Sequence, residues 1–487
     1  MSQEELHILL IYQNKYFDIL ADFFISVAGK PPSEFSSLED FSVAVRRIPD
    51  EIRGNSKREA ESLNAFSKLE NNLRQFYSAE SIDAYRSAKN LDVYKLNLGG
   101  SSRFLQTHLH ATRKSLLFTD IVLIPDPIMP WIERDRTEER FRYVQILEIA
   151  FFVLHLSDLI SDNFDIPPFF IFPSWEKSLE DNDEQTQKNC IQLITDVFSH
   201  YVDSGINSFE DIVDFANKSP EQFFSEIDKN KLFVSPGGEV GENLNVAISN
   251  YKSEMQQWRT EDWCNELFSK GDFAVIVNGI SERITPNFHL LENSDELGSH
   301  PFLCIEAQAH YYQLIANMKN KQTATAGLFD PSTLSILSAL TSQKLDFLAN
   351  IEDSQLIQIR KSNENVAFRR ELRDLVNSLP TTKLDDLSYV ASEVCAHIEM
   401  AISKHEKEIR FIRDKFNAKH KYTALIGAST FGVSMFPVLT PFLSMALPLG
   451  LASTVGKYAS EKFEQKTEVE QASHSMMGVI SLAKRAQ

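Results

Sequence analysis

The run LLFTDIVLIPDP occupies residues 116–127 and is the clearest strand candidate in the chain. It is short and apolar, and an Asp-Pro turn signal closes it, so we expect a strand at residues 116–125. A second extended run, PFFIFP, occupies residues 168–173. Two more strands are predicted where KLFV and FAVIV stand, at residues 231–234 and 273–277.

Most of the remaining sequence favours helix. Residues 4–28 place their apolar side chains on one wide face, and residues 56–89 repeat Leu and Phe at intervals of three and four. Helices are also predicted at residues 332–349, 353–378 and 384–421. The expected fold class is mainly α with a minor β component, with a mixed N-terminal region and a C-terminal helical bundle that ends in an apolar helical hairpin.

The length of 487 residues allows for two or three domains, and we expect three regions. Residues 1–155 are predicted to form a mixed, mostly helical N-terminal domain. Residues 156–325 form an acidic α/β middle region, and residues 326–487 form a C-terminal helical domain. The polar and small residues 320–326 mark the second boundary.

The formal net charge is −19, which argues against nucleic acid as a partner of the whole surface, because phosphate binding needs clustered Lys and Arg. Between residues 157 and 228 there are 16 Asp and Glu against three Lys. Two interpretations remain open for this segment: a solvated helical surface, or a docking face for a basic partner.

Four cysteines lie far apart without zinc-ligand or disulfide spacing, and no cofactor is expected. The N-terminus is acidic and lacks a secretory n-region, which predicts a cytoplasmic location.

Residues 422–456, YTALIGASTFGVSMFPVLTPFLSMALPLGLASTVG, are uncharged for 35 positions. A membrane-spanning helix needs about 20 apolar residues, but three prolines interrupt this stretch. It therefore predicts a helical hairpin over residues 422–466 whose arms are too short to cross a bilayer. The hairpin is buried in the bundle, inserted conditionally into a membrane, or the core of an oligomer. The expected membrane or oligomer contacts are Phe431, Phe436, Leu439, Phe442 and Leu447.

The helix predicted at residues 384–421 carries apolar or small residues at steps of three and four, close to a heptad seam. Such a seam needs a partner helix, from the same chain or from a second copy. The C-terminal end of this helix is basic. The helix dipole favours cations at that end, and so would an anionic membrane surface nearby. The basic flank consists of Arg410, Arg413, Lys415, Lys419 and Lys421.

The chain has no P-loop, no GxSxG and no HExxH motif, so no motif supports a P-loop nucleotide-binding protein, an α/β-hydrolase or a zincin. The loop Gly99-Gly100-Ser101-Ser102-Arg103 stands before a predicted helix. Backbone N–H groups in such a loop can cradle a phosphate, or the loop simply caps the helix.

Arg103, His108 and His110 have R-x4-H and R-x6-H spacing, which resembles the ribonuclease motif of HEPN domains. The resemblance implies acid–base catalysis on an RNA 2′-hydroxyl by an arginine and a histidine. It covers only these positions, and Phe104 stands where the family usually has a polar residue.

Asp120 and Asp126 both lie near the end of the strand predicted at residues 116–125 and are the candidates for a Mg²⁺ site, since Mg²⁺ prefers hard oxygen ligands. A metal-dependent nuclease would use them. The acidic-x-Lys pair of the PD-(D/E)xK pattern is absent from the next strand, and Asp126 before Pro127 also suits a simple turn.

The function expected from the sequence is that of a non-enzymatic intracellular interaction or effector protein, bacterial in origin. It would bind a protein partner or a second copy of itself, with conditional engagement of an anionic membrane surface, peripheral at the inner membrane. The alternative is a nuclease-type enzyme, HEPN-like or dependent on Mg²⁺, in a host-defence or toxin setting.

Overall fold

The computed structural model describes residues 3–35, 40–45, 47, 55–99, 106–132, 139–160, 166–172, 183–304, 306–318, 343–362, 365–370, 476–485 and, between 392 and 407, residues 392, 395–396, 398–400 and 402–407. The chain forms two compact units. The first unit comprises residues 1–112 and 120–330, and the second comprises residues 113–119 and 331–487. The boundary predicted at 155/156 falls inside the first unit.

A four-stranded parallel sheet lies in the first unit. Its strands are β1 (Lys95–Leu98), β2 (Ile121–Pro125), β3 (Phe169–Phe172) and β4 (His300–Phe302), in the order β3-β2-β1-β4. The register pairs Leu96 with Val122 on one side and with His300 on the other. The strands are almost entirely buried, which is why β2 and β3 are continuous apolar runs.

Helices make up most of the first unit, which confirms the expected class of mainly α with a minor β part. In chain order they are α1 (Gln3–Ala28), α2 (Ser56–Asn90), α3 (Gln106–Ser115), α4 (Met129–Ile132), α5 (Glu139–Leu154), α6 (Asp183–Tyr201), α7 (Phe209–Lys218), α8 (Pro220–Lys229), α9 (Leu244–Trp258), α10 (Glu261–Ser269), α11 (Asp272–Glu296) and α12 (Glu306–Met318).

Helices α1 and α2 pack against each other as an antiparallel pair, and both were predicted almost to the residue. Asn55 caps α2 by accepting hydrogen bonds from the backbone N–H groups of Lys57 and Arg58. Across the pair, Tyr12 contacts Phe76 and Phe23 contacts Phe66, with ring centroids 4.5 and 4.8 Å apart. The two helices thus bury their aromatic faces together, beside β3.

Two of the four predicted strands are wrong. Residues 273–277 lie in α11, with residues 275–277 buried, because a short apolar run has the same composition in a buried helix as in a buried strand. Residues 231–234 form no strand, although Leu232, Phe233 and Val234 are buried. The hydroxyl of Tyr311 satisfies their backbone instead, donating to Leu232 O at 2.6 Å and accepting from Val234 N at 3.3 Å.

The second unit contains residues 113–119, a 3-10 helix at Gln343–Asn350, helix α13 (Asp353–Lys361), helical residues at 365–370 and between 392 and 407, and helix α14 (Met476–Arg485). Helix α14 packs on the 3-10 helix. Ser481 and Arg485 both donate to the carboxylate of Glu406, at 2.9 and 3.1 Å. These contacts make the described part of the unit a helical assembly.

The apolar hairpin predicted at residues 422–466 lies outside the described residues, as does the basic flank before it. The same holds for most of the helix predicted at residues 384–421. Among the helices that the structure does describe, none combines the length and the apolar character that a bilayer crossing requires.

Candidate functional site

The carboxyl ends of the four strands lie at one edge of the sheet, because all the strands are parallel. We call this the carboxyl edge. Gly99 follows β1, Asp126 follows β2 and Leu303-Cys304 follows β4. Ligands of open parallel sheets bind outside this edge, at the point where the strand order reverses. In the order β3-β2-β1-β4, that reversal falls between β1 and β4.

Asp126 is the charged residue of the β2 end, and it is only 2 % exposed. Its Oδ1 accepts hydrogen bonds from Tyr16 Oη at 2.9 Å and from Ile128 N at 2.8 Å. Its Oδ2 accepts one from Tyr77 Oη at 2.5 Å. Tyr16 lies on α1 and Tyr77 on α2, so one carboxyl group joins both helices to the end of β2.

Burial raises the pKa of Asp126, and the hydrogen bonds from Tyr77, Ile128, Tyr16 and Met129 oppose that rise. Burial also raises the pKa of Tyr16 and of Tyr77 well above the ordinary value, and the nearby Asp126 carboxylate adds to the effect. Both hydroxyls therefore keep their protons and act as donors. This half of the edge is a closed hydrogen-bonded cluster.

Two buried polar atoms beside this cluster have no hydrogen-bond partner within the described part of the chain: Tyr12 Oη and Gln13 Nε2. The other amide atom of Gln13, Oε1, accepts from Ile171 N at 2.8 Å. Because β3 is an edge strand of the sheet, its free backbone N–H groups could pair with another strand. The side chain of Gln13 accepts from one of them, the N–H of Ile171, and so prevents that pairing there.

The β1/β4 end is built around Gly99 and the last residues of β4. Gly99 N donates to Phe302 O at 2.9 Å, so the pairing of β1 with β4 continues to the last residue before the loop. A Cβ at position 99 would lie 2.7 Å from Leu290 Cδ2 and 3.6 Å from Gln308 Nε2. The Cys304 thiol approaches Gly99 O at 3.7 Å. Gly99, Cys304 and Gln308 therefore meet where the strand order reverses.

Gln308 lies in the first turn of α12 and is partly exposed as a residue. Its Oε1 is nevertheless buried and has no hydrogen-bond partner among the described residues. An N–H or O–H group of a ligand would satisfy that acceptor.

Of the HEPN-like pattern, the structure describes His108 and His110, both on α3. His108 is buried on α3, 1 % exposed, and His110 lies two residues further along the same helix, on a different face. His110 Nε2 lies 3.4 Å from Gln106 Nε2. Arg103 lies outside the described residues.

Asp120 and Asp126 stand at opposite ends of β2. The five residues of β2 lie between them, and six steps of extended chain span roughly 20 Å, so one ion cannot contact both. Asp120 Oδ2 accepts from Tyr94 N at 2.9 Å, at the other edge of the sheet. The described residues contain no group of three or more His, Cys, Asp or Glu side chains placed to hold a metal ion.

Tyr16 and Tyr77 were missed as site residues. In the sequence they are two of many aromatic positions on predicted helices, and their hydroxyls gain a role only through Asp126, 110 and 49 residues away. The predicted contacts Phe431, Phe436, Leu439, Phe442 and Leu447 lie outside the described residues.

Comparison of the chain with known protein families, with curated proteins and with solved structures finds no match.

Proposed function

We propose that the first unit binds a small phosphorylated ligand at the β1/β4 end of the carboxyl edge. The observation that carries the proposal is the reversal of strand order between β1 and β4, with a glycine directly after β1. In parallel sheets of this kind, the loop after the first strand leads into a helix whose N-terminal N–H groups face the ligand.

Three features support a phosphate as the recognised group. Residues 99–103, GGSSR, include small residues, hydroxyls and one arginine. A glycine directly after a strand lets the backbone approach an anion closely. Gln308 adds a buried acceptor for a neighbouring hydroxyl or amino group of the ligand.

The size of the ligand follows from the other half of the edge. In dinucleotide-binding sheets an acidic residue in the region of the second strand holds a ribose. Here Asp126 occupies that place but is covered by Tyr16 and Tyr77. A mononucleotide or a smaller phosphate ester therefore suits this edge better than a dinucleotide.

We further propose that the second unit is the effector part of the protein. Residues 422–456 would contact a protein partner or a second copy, or engage an anionic membrane surface with the help of the basic flank at residues 410–421. The support is the uncharged stretch itself, interrupted by Pro437, Pro441 and Pro448. The whole would be a non-enzymatic cytoplasmic effector, peripheral at the inner membrane when engaged.

Calorimetric titration with AMP, ADP, ATP and inorganic phosphate tests the ligand site. We expect binding of a mononucleotide by the wild type and roughly two- to tenfold weaker binding by Gln308→Leu, since a lost hydrogen bond costs about 0.5–1.5 kcal/mol. Gln313→Leu, on the same helix, is the matched control and should bind normally. Equal affinity in both variants would remove Gln308 from the site, and no binding of any probe by the wild type would remove the proposal.

Flotation with vesicles containing an anionic phospholipid tests the effector part. We expect Phe431→Asp and Leu439→Asp to abolish flotation, because each places a charge in the apolar stretch. Phe209→Asp, in the first unit, controls for the general effect of a new charge. If the wild type never floats, the oligomeric state of the same variants decides between a second copy and a protein partner.

The alternative, a nuclease-type enzyme, keeps the spacing of Arg103, His108 and His110 as its support. Incubation with RNA and DNA, in Mg²⁺ or in EDTA, tests it. Cleavage that is lost in both Arg103→Ala and His110→Ala would favour the enzyme.

A further inference from the structure

Strand β1 lies against one face of α11, and two contacts fix the direction of the helix relative to the strand. Asn97, in the strand, donates from Nδ2 to Ser294 Oγ at 3.3 Å. Two residues later, a Cβ at position 99 would lie 2.7 Å from Leu290 Cδ2. The residue number falls along α11 as it rises along β1, so the helix runs antiparallel to the strand. The residues of α11 before Leu290 therefore lie beyond the carboxyl edge.

Asn287 is the next residue of α11 on that face. It precedes Leu290 by three residues, which is close to one helical turn and about 4.5 Å along the axis. Arg283, one more turn along, lies on the same side of the helix. Burial raises the pKa of Tyr311 on α12, and the nearby guanidinium of Arg283 opposes that rise. Asn287 thus lies between a residue that faces Gly99 and a residue that faces α12.

The amide group of Asn287 has only its oxygen free. The residue is 0 % exposed, and its Nδ2 donates to Arg283 O at 2.9 Å. Its Oδ1 is buried and has no hydrogen-bond partner within the part of the chain that the structure describes. The bond made by Nδ2 fixes which way the amide group is oriented, so the group that remains is an acceptor.

Gln308 supplies a second acceptor of the same kind at the start of α12. Its Oε1 is buried without a partner among the described residues, and its Nε2 lies 3.6 Å from the Cβ position of residue 99. A buried carbonyl oxygen without a donor is unfavourable. Two such oxygens lie around the carboxyl end of β1, so a ligand that binds there favourably brings a donor to each.

Hydroxyl groups are the donors that suit two separate amide oxygens. An Asn or Gln side chain reads adenine through its oxygen and its nitrogen together, because the base edge offers an amino group beside a ring nitrogen. Asn287 cannot do this, since its Nδ2 is bonded to Arg283 O. A hydroxyl group donates one bond and needs one acceptor. Neighbouring hydroxyl groups of a sugar therefore fit Asn287 and Gln308 better than the edge of a base does.

We propose that Asn287 and Gln308 accept hydrogen bonds from two sugar hydroxyl groups of the ligand, so that the site selects sugar phosphates and ribonucleotides without distinguishing their bases. The inference rests on the ligand site proposed above and deepens it by naming the group that the phosphate carries. Residues 99–103 would contact the phosphate, and the two amide oxygens would contact the sugar.

Calorimetric titration of the wild-type protein with AMP, UMP and 2′,3′-dideoxy-AMP tests the inference. We expect AMP and UMP to bind with similar affinity. The dideoxy compound lacks both sugar hydroxyls and should bind roughly four- to hundredfold more weakly, a factor of about two to ten for each lost bond. Equal binding of AMP and the dideoxy compound would overturn the inference, and so would a loss for UMP as large as that for the dideoxy compound.

Asn287→Leu locates the recognition on the helix. Removing Oδ1 should make AMP bind roughly two- to tenfold more weakly and leave the binding of dideoxy-AMP unchanged. Asn278→Leu is the matched control: it lies nine residues earlier on α11, on the opposite face, where its Nδ2 donates to Tyr251 Oη. It should keep the wild-type ratio of the two affinities. The same ratio in Asn287→Leu would remove Asn287 from the site. If Asn287→Leu does not fold, the nucleotide series on the wild type decides.

Adenosine, 2′,3′-dideoxyadenosine and inorganic phosphate separate this inference from the proposed function. Binding of phosphate, together with equal binding of AMP and dideoxy-AMP, keeps the proposed function and removes the inference. Adenosine that binds as tightly as AMP, with dideoxyadenosine weaker, removes the phosphate and keeps the two hydroxyl acceptors. Absence of binding of every probe by the wild type removes both.

Discussion

At the β2 end of the carboxyl edge, a buried carboxyl group is surrounded by donors from two helices, whereas at the β1 end Gly99 presents only backbone to Leu290, Cys304 and Gln308. Both ends follow parallel strands of the same sheet. At the first, both oxygens of the Asp126 carboxyl accept hydrogen bonds from the protein, and at the second, the buried Oε1 of Gln308 has no partner among the described residues. Pairing of this kind stabilises the fold, and an unmatched acceptor is what a ligand can match.

The largest effect is expected for Asp126→Ala. The change leaves two tyrosine hydroxyls and the N–H of Ile128 buried without their acceptor, so the free energy of unfolding should fall by about 3–5 kcal/mol. Urea unfolding measures it. Asp120→Ala, at the half-exposed opposite end of β2, should cost only about 1 kcal/mol. Equal losses in the two variants would contradict the difference in burial.

Tyr77→Phe should destabilise the protein more than Tyr16→Phe. Tyr77 is the side-chain donor to Oδ2, while Oδ1 keeps the N–H of Ile128 when Tyr16 is lost. The expected losses are about 2–3 kcal/mol for Tyr77→Phe and about 1 kcal/mol for Tyr16→Phe. Thermal unfolding of both variants ranks them, and the opposite ranking would show that Tyr16 is the principal donor.

Gly99→Ala tests the packing at the β1/β4 end of the carboxyl edge. A methyl group there meets Leu290 Cδ2 at 2.7 Å, and overpacking of this size costs about 1–3 kcal/mol. Combining it with Leu290→Ala should cost less than the sum of the two single changes, because the second removes the clash made by the first. Additive losses would indicate that strain at position 99 has another source.

The smallest effect is expected from pH. Because burial raises the pKa of Asp126, the folded protein keeps this proton at pH values where the unfolded chain has lost it. The free energy of unfolding should therefore decrease as pH rises from the ordinary carboxyl pKa towards the raised one. The free energy of unfolding of the wild type minus that of Asp126→Asn isolates this contribution and should decrease over this pH range. If that difference increases with pH, the pKa of Asp126 is lowered and not raised.

Part of the site was accessible to sequence reasoning. A phosphate cradle or a helix cap at residues 99–103 follows from the sequence and stays a prediction, and Asp126 is placed at the end of a strand by the sequence and by the structure. Tyr16 and Tyr77 were not accessible in this way, because no sequence pattern links a donor on a helix to an acceptor that follows a strand. The predicted Mg²⁺ site used Asp120 and Asp126 together, although the length of strand between them is too great for one ion to contact both.

The sequence alone determined the elements whose signal is local. Helices α1 and α2 follow from apolar side chains at intervals of three and four, and β2 and β3 follow from short apolar runs closed by proline. Tertiary structure decided the rest. Lys95 and Asn97 form a buried strand because β2 and β4 satisfy its backbone on both sides, while residues 273–277 become helix. Residues 113–119 join the second unit because Arg360 and Asn365 bind their carbonyl groups from more than 240 residues away. Periodicity is a property of neighbours along the chain, whereas hydrogen-bond partners across such distances exist only after the chain has folded.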